Sequence, residues 1–429
     1  MVVDVIDYVM GSGKSSFIIE QMNMWNLENE YDQFVYVSPS LSEVEDRIPN
    51  ACPDIGFLYA EGEDKTGQVV SLMSEGASVS CTHNLLLGLE PEHINSMKEH
   101  KNILVVDEEL ELVRPYKVFS KATVDFLLNK GVLYVAEDAT LNVNYEHEDY
   151  KDIVSSATNK KDALFELFRL CDLGYIVRVR EGGYYVWDFP PQFVKNFDKV
   201  VFMSYMFEHS VANLWCMAND IEVEYWKIPE LEKRQEEVFH SLSENINVVD
   251  TLSLNKIPEG INLSQAGWKL LTKDKLSLIK KPVDTFVNHT PDISGKDVVV
   301  TCPKAYWDNP KKTLQTKRTK TATWLASSTR GINDYADKKV MVYGIDKHPS
   351  PMTLHYFDYV MERDRDYNPE NKVEIGLYKN KWKENYALSN MLQWLWRGCI
   401  RKNEQMYVIV LSPRMRKLLN KWVISKEEK

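Results

Sequence analysis

Cysteine is scarce in this chain and never paired. Six occur in 429 residues (Cys52, Cys81, Cys171, Cys216, Cys302 and Cys399), with no C-x-x-C pair and no histidine at zinc spacing. That excludes a structural zinc site and points to reduced thiols in a cytoplasmic protein. No stretch is apolar for the length a membrane span requires. No N-terminal segment reads as a signal peptide, because the first apolar run is short and leads straight into a glycine-rich turn. No repeat of solenoid period is visible. Positive charge is in deficit as well: 52 Lys and Arg against 63 Asp and Glu give a net charge of −11, which argues against wholesale polyanion binding but permits a local basic groove. What the chain does have is size and aromatic residues. A mass of 49.9 kDa predicts two domains, and 11 Trp with 22 Tyr exclude general disorder.

The most informative stretch lies near the N-terminus. Val2 to Tyr8 (VVDVIDY) reads as a buried strand, and Ser15 to Trp25 (SSFIIEQMNMW) as a helix with Phe17, Ile18 and Met22 on its apolar face. Between them runs VMGSGKSS, Val9 to Ser16. In a strand–turn–helix setting, Gly11, Ser12 and Gly13 let backbone N–H groups face a phosphate chain. Lys14 neutralises the outer phosphates, Ser15 ligates Mg²⁺, and Ser16 continues the helix N-terminus that favours the same anion. The cofactors implied are ATP and Mg²⁺. The full pattern G-x-x-x-x-G-K-[ST] has glycine at position 8, where this chain has Tyr8. A Gly-Ser turn that merely starts a helix carries the same short pattern, so a second motif is needed.

Asn102 to Leu110 (NILVVDEEL) supplies it. An apolar strand delivers Asp107 and Glu108 at its carboxyl end, where open α/β sheets bind ligands. Asp107 suits holding Mg²⁺ from the outer shell, and Glu108 suits orienting and deprotonating the attacking water.

Further strands are predicted at Phe34–Ser38, Ala77–Cys81 (ending in Thr82 and His83), Gly131–Ala136 (running into Asp138, Ala139 and Thr140), Lys199–Ser204, Val298–Cys302 and Val340–Tyr343. Ser42 and Glu45 have capping-box spacing. Tyr175–Val179 and Tyr184–Trp187 flank Arg180–Gly183 as a hairpin. Pro303 to Thr321 carries Lys304, Lys311, Lys312, Lys317, Arg318 and Lys320 with Tyr306 and Trp307, a combination suited to single-stranded nucleic acid. Ala387 to Arg401 reads as a helix that places Gln393, Arg397 and Arg401 on one stripe.

In that order the motifs resemble those of superfamily 2 helicases, and most closely the compact bacteriophage-encoded branch that includes relatives of origin-binding helicases. The resemblance implies an α/β fold of two RecA-like P-loop domains, each a mostly parallel sheet flanked by helices. The boundaries it suggests are 1–155 for the first domain, 156–195 for a helix and β-hairpin connector, and 196–429 for the second domain, with an accessory insertion at about 208–296. It implies nucleic-acid contacts from Ser38, Pro39, Ser40, Thr82, His83, Ser204, Tyr205, Thr329, Arg330 and Asn333. Asp138, Ala139 and Thr140 would couple hydrolysis to strand movement, and Gln393 with Arg397 or Arg401 would reach the γ-phosphate, the spacing leaving the choice of arginine open. Three positions depart from the family pattern: Tyr8, Asp138, and the second arginine, which stands one residue late. The chain also starts too close to the loop for an adenine-reading glutamine motif.

The expected function is an ATP-dependent helicase or translocase, a nucleic-acid-stimulated ATP hydrolase serving phage replication or recombination in the host cytoplasm. Its partners would be single-stranded or forked DNA, with RNA open, and replication or recombination proteins, with no membrane. Two alternatives stand beside it: the ATPase of a DNA-packaging terminase, which would need a cluster of nuclease acids not seen after residue 200, and a non-enzymatic nucleic-acid binder with a decayed loop, for which Tyr8 is the support.

Overall fold

A strand buried on both faces reads as an unbroken apolar run, because in a parallel sheet helices cover both sides. Val2–Asp7 (β1), Gln33–Ser38 (β2), Val79–Thr82 (β3) and Asn102–Asp107 (β4) are of this kind. The computed structural model describes residues 1–90, 100–116, 121–156, 161–181, 184–309, 312–329, 334–363 and 372–427. The chain divides into two units. The first comprises Met1–Asp7, Ser15–Trp226 and Ser350–Lys379; the second comprises Tyr8–Lys14, Lys227–Pro349 and Asn380–Lys429.

After β4 the first unit continues through short strands Val113–Pro115 (β5), Leu133–Val135 (β6), Leu141–Val143 (β7), Ile176–Arg180 (β8) and Tyr184–Asp188 (β9), then Lys199–Ser204 (β10) and Glu222–Tyr225 (β11). Its main sheet has six strands in the order β11-β1-β10-β4-β2-β3, every pair parallel. Parallel neighbours need crossover connections, which helices supply. The first is Lys14–Leu27, which buries Ile18, Ile19, Met22 and Trp25. Phe17 is only half-buried, with its ring edge-on to Trp226.

The position of β10 corrects the expected boundary at residue 196. Instead of opening the second domain, this strand lies between β1 and β4. Local chemistry holds it there: the Asn102 backbone N–H donates to the Asp198 carboxylate at 2.8 Å, and the Asp198 N–H donates to the Asn102 side-chain oxygen at 3.0 Å. Lys199 also pairs with Asp4 of β1 at 2.8 Å.

Two further expectations change. The hairpin β8–β9 does form, but β9 also pairs antiparallel with β5, so it belongs to a three-stranded sheet within the first unit and is not a connector. The strand expected at Gly131–Ala136 shrinks to β6, which pairs antiparallel with β7. The turn between them decides this. Asp138 accepts from the N–H and hydroxyl of Thr140 at 2.9 and 2.6 Å, and Ala139 takes φ +70°, closing a hairpin where a crossover was expected.

The second unit adds Ile246–Val248 (β12), Val298–Thr301 (β13), Thr323–Trp324 (β14), Val340–Tyr343 (β15) and Met406–Val410 (β16), in the all-parallel order β12-β16-β15-β13-β14. Residues 227–296 are therefore part of the body of this unit, and no accessory insertion at 208–296 is present. Helix Lys273–His289 buries Leu276, Ile279, Val283 and Val287 in the same core as Trp268, whose indole N–H donates to the Gly344 carbonyl at 3.0 Å. Both units are thus parallel-sheet α/β structures flanked by helices. Among the described residues no helix is long and apolar enough to cross a membrane, and no group of three or more His, Cys, Asp or Glu is placed to hold a metal. All six cysteines are buried and free.

Candidate functional site

In the first sheet, register brings the predicted acids and strand ends to one edge. Asp7 is level with Ser204, Met203 with Asp107, and Ser38 with Thr82. Because all these strands run parallel, every one of these residues ends at the carboxyl edge, where such sheets bind ligands.

At the centre of that edge is Asp107. One carboxylate oxygen accepts from the Ser15 hydroxyl at 3.4 Å and from the Tyr36 hydroxyl at 2.9 Å, so the predicted metal pair, Ser15 and Asp107, is brought together. Burial, reinforced by the Asp107 carboxylate, holds the Tyr36 phenol protonated far above its ordinary value, which keeps it a donor. His83 Nε2 lies 2.8 Å from the Asp107 carbonyl oxygen, which ties the end of β3 to the acid pair. Two oxygen donors, a hydroxyl and a carboxylate, suit a hard cation such as Mg²⁺.

Glu108 follows in a strained backbone, φ +64°, and one of its carboxylate oxygens is buried with no hydrogen-bond partner among the described residues. Among the described residues seven non-glycine residues have positive φ, of which four are Asn or Asp, the types that tolerate it. The other three are Glu108, Ala139 and Met206. Two of them sit just past the ends of β4 and β10, so strain collects at the edge that carries the acids. Asp7 joins this edge by accepting from the Phe207 N–H at 3.1 Å.

The loop Tyr8–Lys14 belongs to the second unit. Gly11 and Gly13 have φ +84° and +95°, as a glycine-rich phosphate turn requires. The Lys14 ammonium rests on the carbonyls of Tyr8 and Val9 at 2.6 and 3.1 Å, and Ser12 is fully buried. Tyr8 is a built-in strut: its ring is buried and its hydroxyl accepts from the Ile228 N–H at 2.8 Å. Gln235 accepts from the Val9 N–H at 2.9 Å. A Cβ on Gly11 would lie 3.7 Å from the Trp396 indole nitrogen, so the segment before Arg397 reaches the loop.

The arginine stripe itself is not formed. Helix Lys372–Leu395 ends before Arg397, so of the three only Gln393 lies on it. Arg397 is 2% exposed, whereas Arg401 is exposed and its Nε donates to the Trp396 carbonyl at 2.6 Å from a 3₁₀ turn at Cys399–Lys402. Gly398 explains the stop: a Cβ there would lie 2.7 Å from the Met406 sulfur and 3.1 Å from Met341, so the chain must turn extended against β15 and β16.

Several predicted nucleic-acid contacts are turned inward. Ser38 and Ser40 are buried, Ser38 accepting from the Ser40 N–H at 3.3 Å, while Pro39 is half-buried. Ser42 bonds the Ser40 hydroxyl at 2.8 Å and makes no helix cap, so the expected capping box is absent. Thr82 caps the short helix His83–Leu86 by accepting from the Leu85 N–H. Ser204 is buried and Tyr205 half-buried at the end of β10, on the first sheet and not in the second domain as expected. Thr329 lies in a turn closed by its N–H to Ala326, and Arg330 and Asn333 lie outside the described residues. Trp307 is 7% exposed and Tyr306 packs on Trp268 at 5.1 Å, so the aromatic residues of the basic stretch serve the core and offer no stacking platform. Asp138, Ala139 and Thr140 form the β6–β7 turn, apart from the six-stranded sheet.

Sequence reasoning missed Tyr36, Arg234, Gln235 and Trp396. Tyr36 sits two residues before the end of an apolar strand, with nothing local to distinguish it from core; Arg234 against Gly13, Gln235 against Val9 and Trp396 against Gly11 approach the loop from more than 200 residues away in the chain.

Residues 240–423 match the family described as the YonV C-terminal Rossmann-like domain. The chain is similar to the SPbeta prophage-derived uncharacterized protein YonV of Bacillus subtilis (strain 168), at 24% identity over 448 residues and covering 98% of each chain.

Proposed function

We propose that the protein binds ATP with Mg²⁺ at the loop Gly11–Ser16, hydrolyses it, and uses the hydrolysis to move along a nucleic-acid strand as a phage helicase or translocase. One observation carries the hydrolytic half of this reading: Ser15 and Asp107 share a 3.4 Å contact, with the strained Glu108 next in the chain. Lys14 and the loop N–H groups bind phosphates; Ser15 and Asp107 hold Mg²⁺, which supplies charge neutralisation on the phosphates; Glu108 takes the proton of the attacking water. The buried, hydrogen-bonded Tyr8 supports a loop adapted at this position over one that has decayed. Under this reading the two parallel-sheet units are RecA-like domains.

The nucleic-acid half is supported by the order of motifs that resembles superfamily 2 helicases and by the similarity to a prophage-derived protein. The test is ATP hydrolysis by the purified chain with and without single-stranded DNA or RNA, followed by strand displacement on tailed duplexes. Hydrolysis should rise with one of these polymers. Lys14→Ala and Glu108→Gln should each lower turnover by about 10²–10⁴-fold, the second while still binding nucleotide. Hydrolysis indifferent to every nucleic acid would end the motor reading, and turnover unaffected by Glu108→Gln would end the assignment of the base.

A further inference from the structure

Arg234 lies directly on the phosphate loop. Its Nη1 is 2.5 Å from the point where a Cβ on Gly13 would stand, so a side chain there would displace the guanidinium. Two neighbours on the same stretch fix this approach: Gln235 accepts from the Val9 N–H at 2.9 Å, and the Ile228 N–H donates to the Tyr8 hydroxyl at 2.8 Å. Helix Pro229–Asn245 is thereby pinned to the loop at Ile228, the residue that precedes it, and at Gln235, about two turns in. Arg234 is solvent-exposed and has no carboxylate partner among the described residues. An arginine held against backbone with its fork unpaired keeps all five donors for a ligand, and that fork matches two phosphate oxygens.

The position along the loop indicates which phosphate. In loops of this type the lysine serves the β- and γ-phosphates, and Gly13 directly precedes Lys14. A guanidinium against Gly13 therefore stands at the outer end of the phosphate chain. We propose that Arg234 is a phosphate-contacting residue that grips the terminal phosphate, giving the site a preference for nucleoside triphosphate over diphosphate. This rests on the reading of the loop as a nucleotide site. It differs from the sequence expectation, which placed this role on Arg397 or Arg401.

The experiment is calorimetric titration of the full chain with a non-hydrolysable ATP analogue and with ADP, each with Mg²⁺. Arg234→Ala should weaken the triphosphate analogue about 10- to 100-fold and ADP by less than about threefold, the loss expected of hydrogen bonds to a charged group. Arg234→Lys should recover part of the difference, because it restores the charge without the fork. If Arg234→Ala binds both nucleotides like the parent, or loses both equally, the proposal is wrong. Lys14→Ala separates the two levels. If it loses both nucleotides while Arg234→Ala matches the parent, only the role of Arg234 falls. If the parent binds neither nucleotide, or Lys14→Ala binds both unchanged, the nucleotide site falls and this inference with it.

Discussion

Glu108 has a backbone that its own side chain disfavours. A non-glycine residue at φ +64° is held there by its surroundings at a cost of about 1–3 kcal/mol. The strain is consistent with a carboxylate aimed by the turn that follows β4, and glycine relieves it. Glu108→Gly should therefore raise unfolding free energy by about 0.5–1 kcal/mol, after the extra chain entropy of glycine, while removing turnover. Denaturant melts of the two proteins decide it, and a loss of stability would show that Glu108 is anchored by contacts and not strained. Asp188 is the opposite case, a carboxyl with no apparent part in the site. It is buried, accepts from the Tyr356 hydroxyl at 2.9 Å, and has its other oxygen unpartnered among the described residues. Burial pushes its pKa from 3.8 up to about 7. Between those values the unfolded chain releases a proton that the folded chain keeps, so stability falls as pH rises. Asp188→Asn should remove that slope and raise stability at pH 8 by about 1–3 kcal/mol. Melts from pH 5 to 8 that remain parallel for the two proteins would contradict it.

At the scale of elements, β10 carries the largest difference between sequence and structure. Its pattern, KVVFMS, is that of any buried parallel strand, and nothing local states which sheet it joins. Asn102 and Asp198 state it, through reciprocal backbone-to-side-chain bonds between residues 96 apart. Asn102→Ala removes the side-chain acceptor of the Asp198 N–H, which keeps the Asn102 carbonyl at 3.1 Å, and should cost about 0.5–1.5 kcal/mol. Hydrogen exchange should quicken in β10 and β4 before β3, and uniform protection would place the register elsewhere. The C-terminal arginines fail for a related reason. Their spacing of four is helical, yet Gly398 must lie flat on Met341 and Met406, and that packing ends the helix at Leu395. Periodicity describes a helix face only while the helix continues.

At the scale of the whole molecule, neither unit is a continuous stretch of chain. Helix Pro351–Arg363 belongs to the first unit and buries Tyr356, Phe357 and Val360, with Tyr356 bonded to Asp188 of β9. A fragment of residues 1–226 lacks those side chains and should show no cooperative melt, whereas joining 350–379 to it through a flexible linker should restore one. A sharp transition in 1–226 alone would show that the returning helix is dispensable. The boundaries expected at 155 and 196 both fall inside the first unit, although Pro190 and Pro191 are a pair of the kind that often ends an element. In the structure they lead into a short helix, Pro191–Val194, ahead of β10, and the chain stays in the same unit.

Composition and local pattern by themselves determined the strand–loop–helix at residues 2–27, the acid pair at the end of β4, and the parallel α/β class, because each depends on neighbours a few residues apart. Tertiary structure alone decided that β10 lies between β1 and β4, that Tyr36 bonds Asp107, that Arg234 and Trp396 meet the loop, and that Ser38, Ser40, Tyr306 and Trp307 face inward. Those facts depend on which surfaces meet after the chain has folded, and side-chain bonds across roughly 70 to 220 residues leave no periodic trace in the sequence.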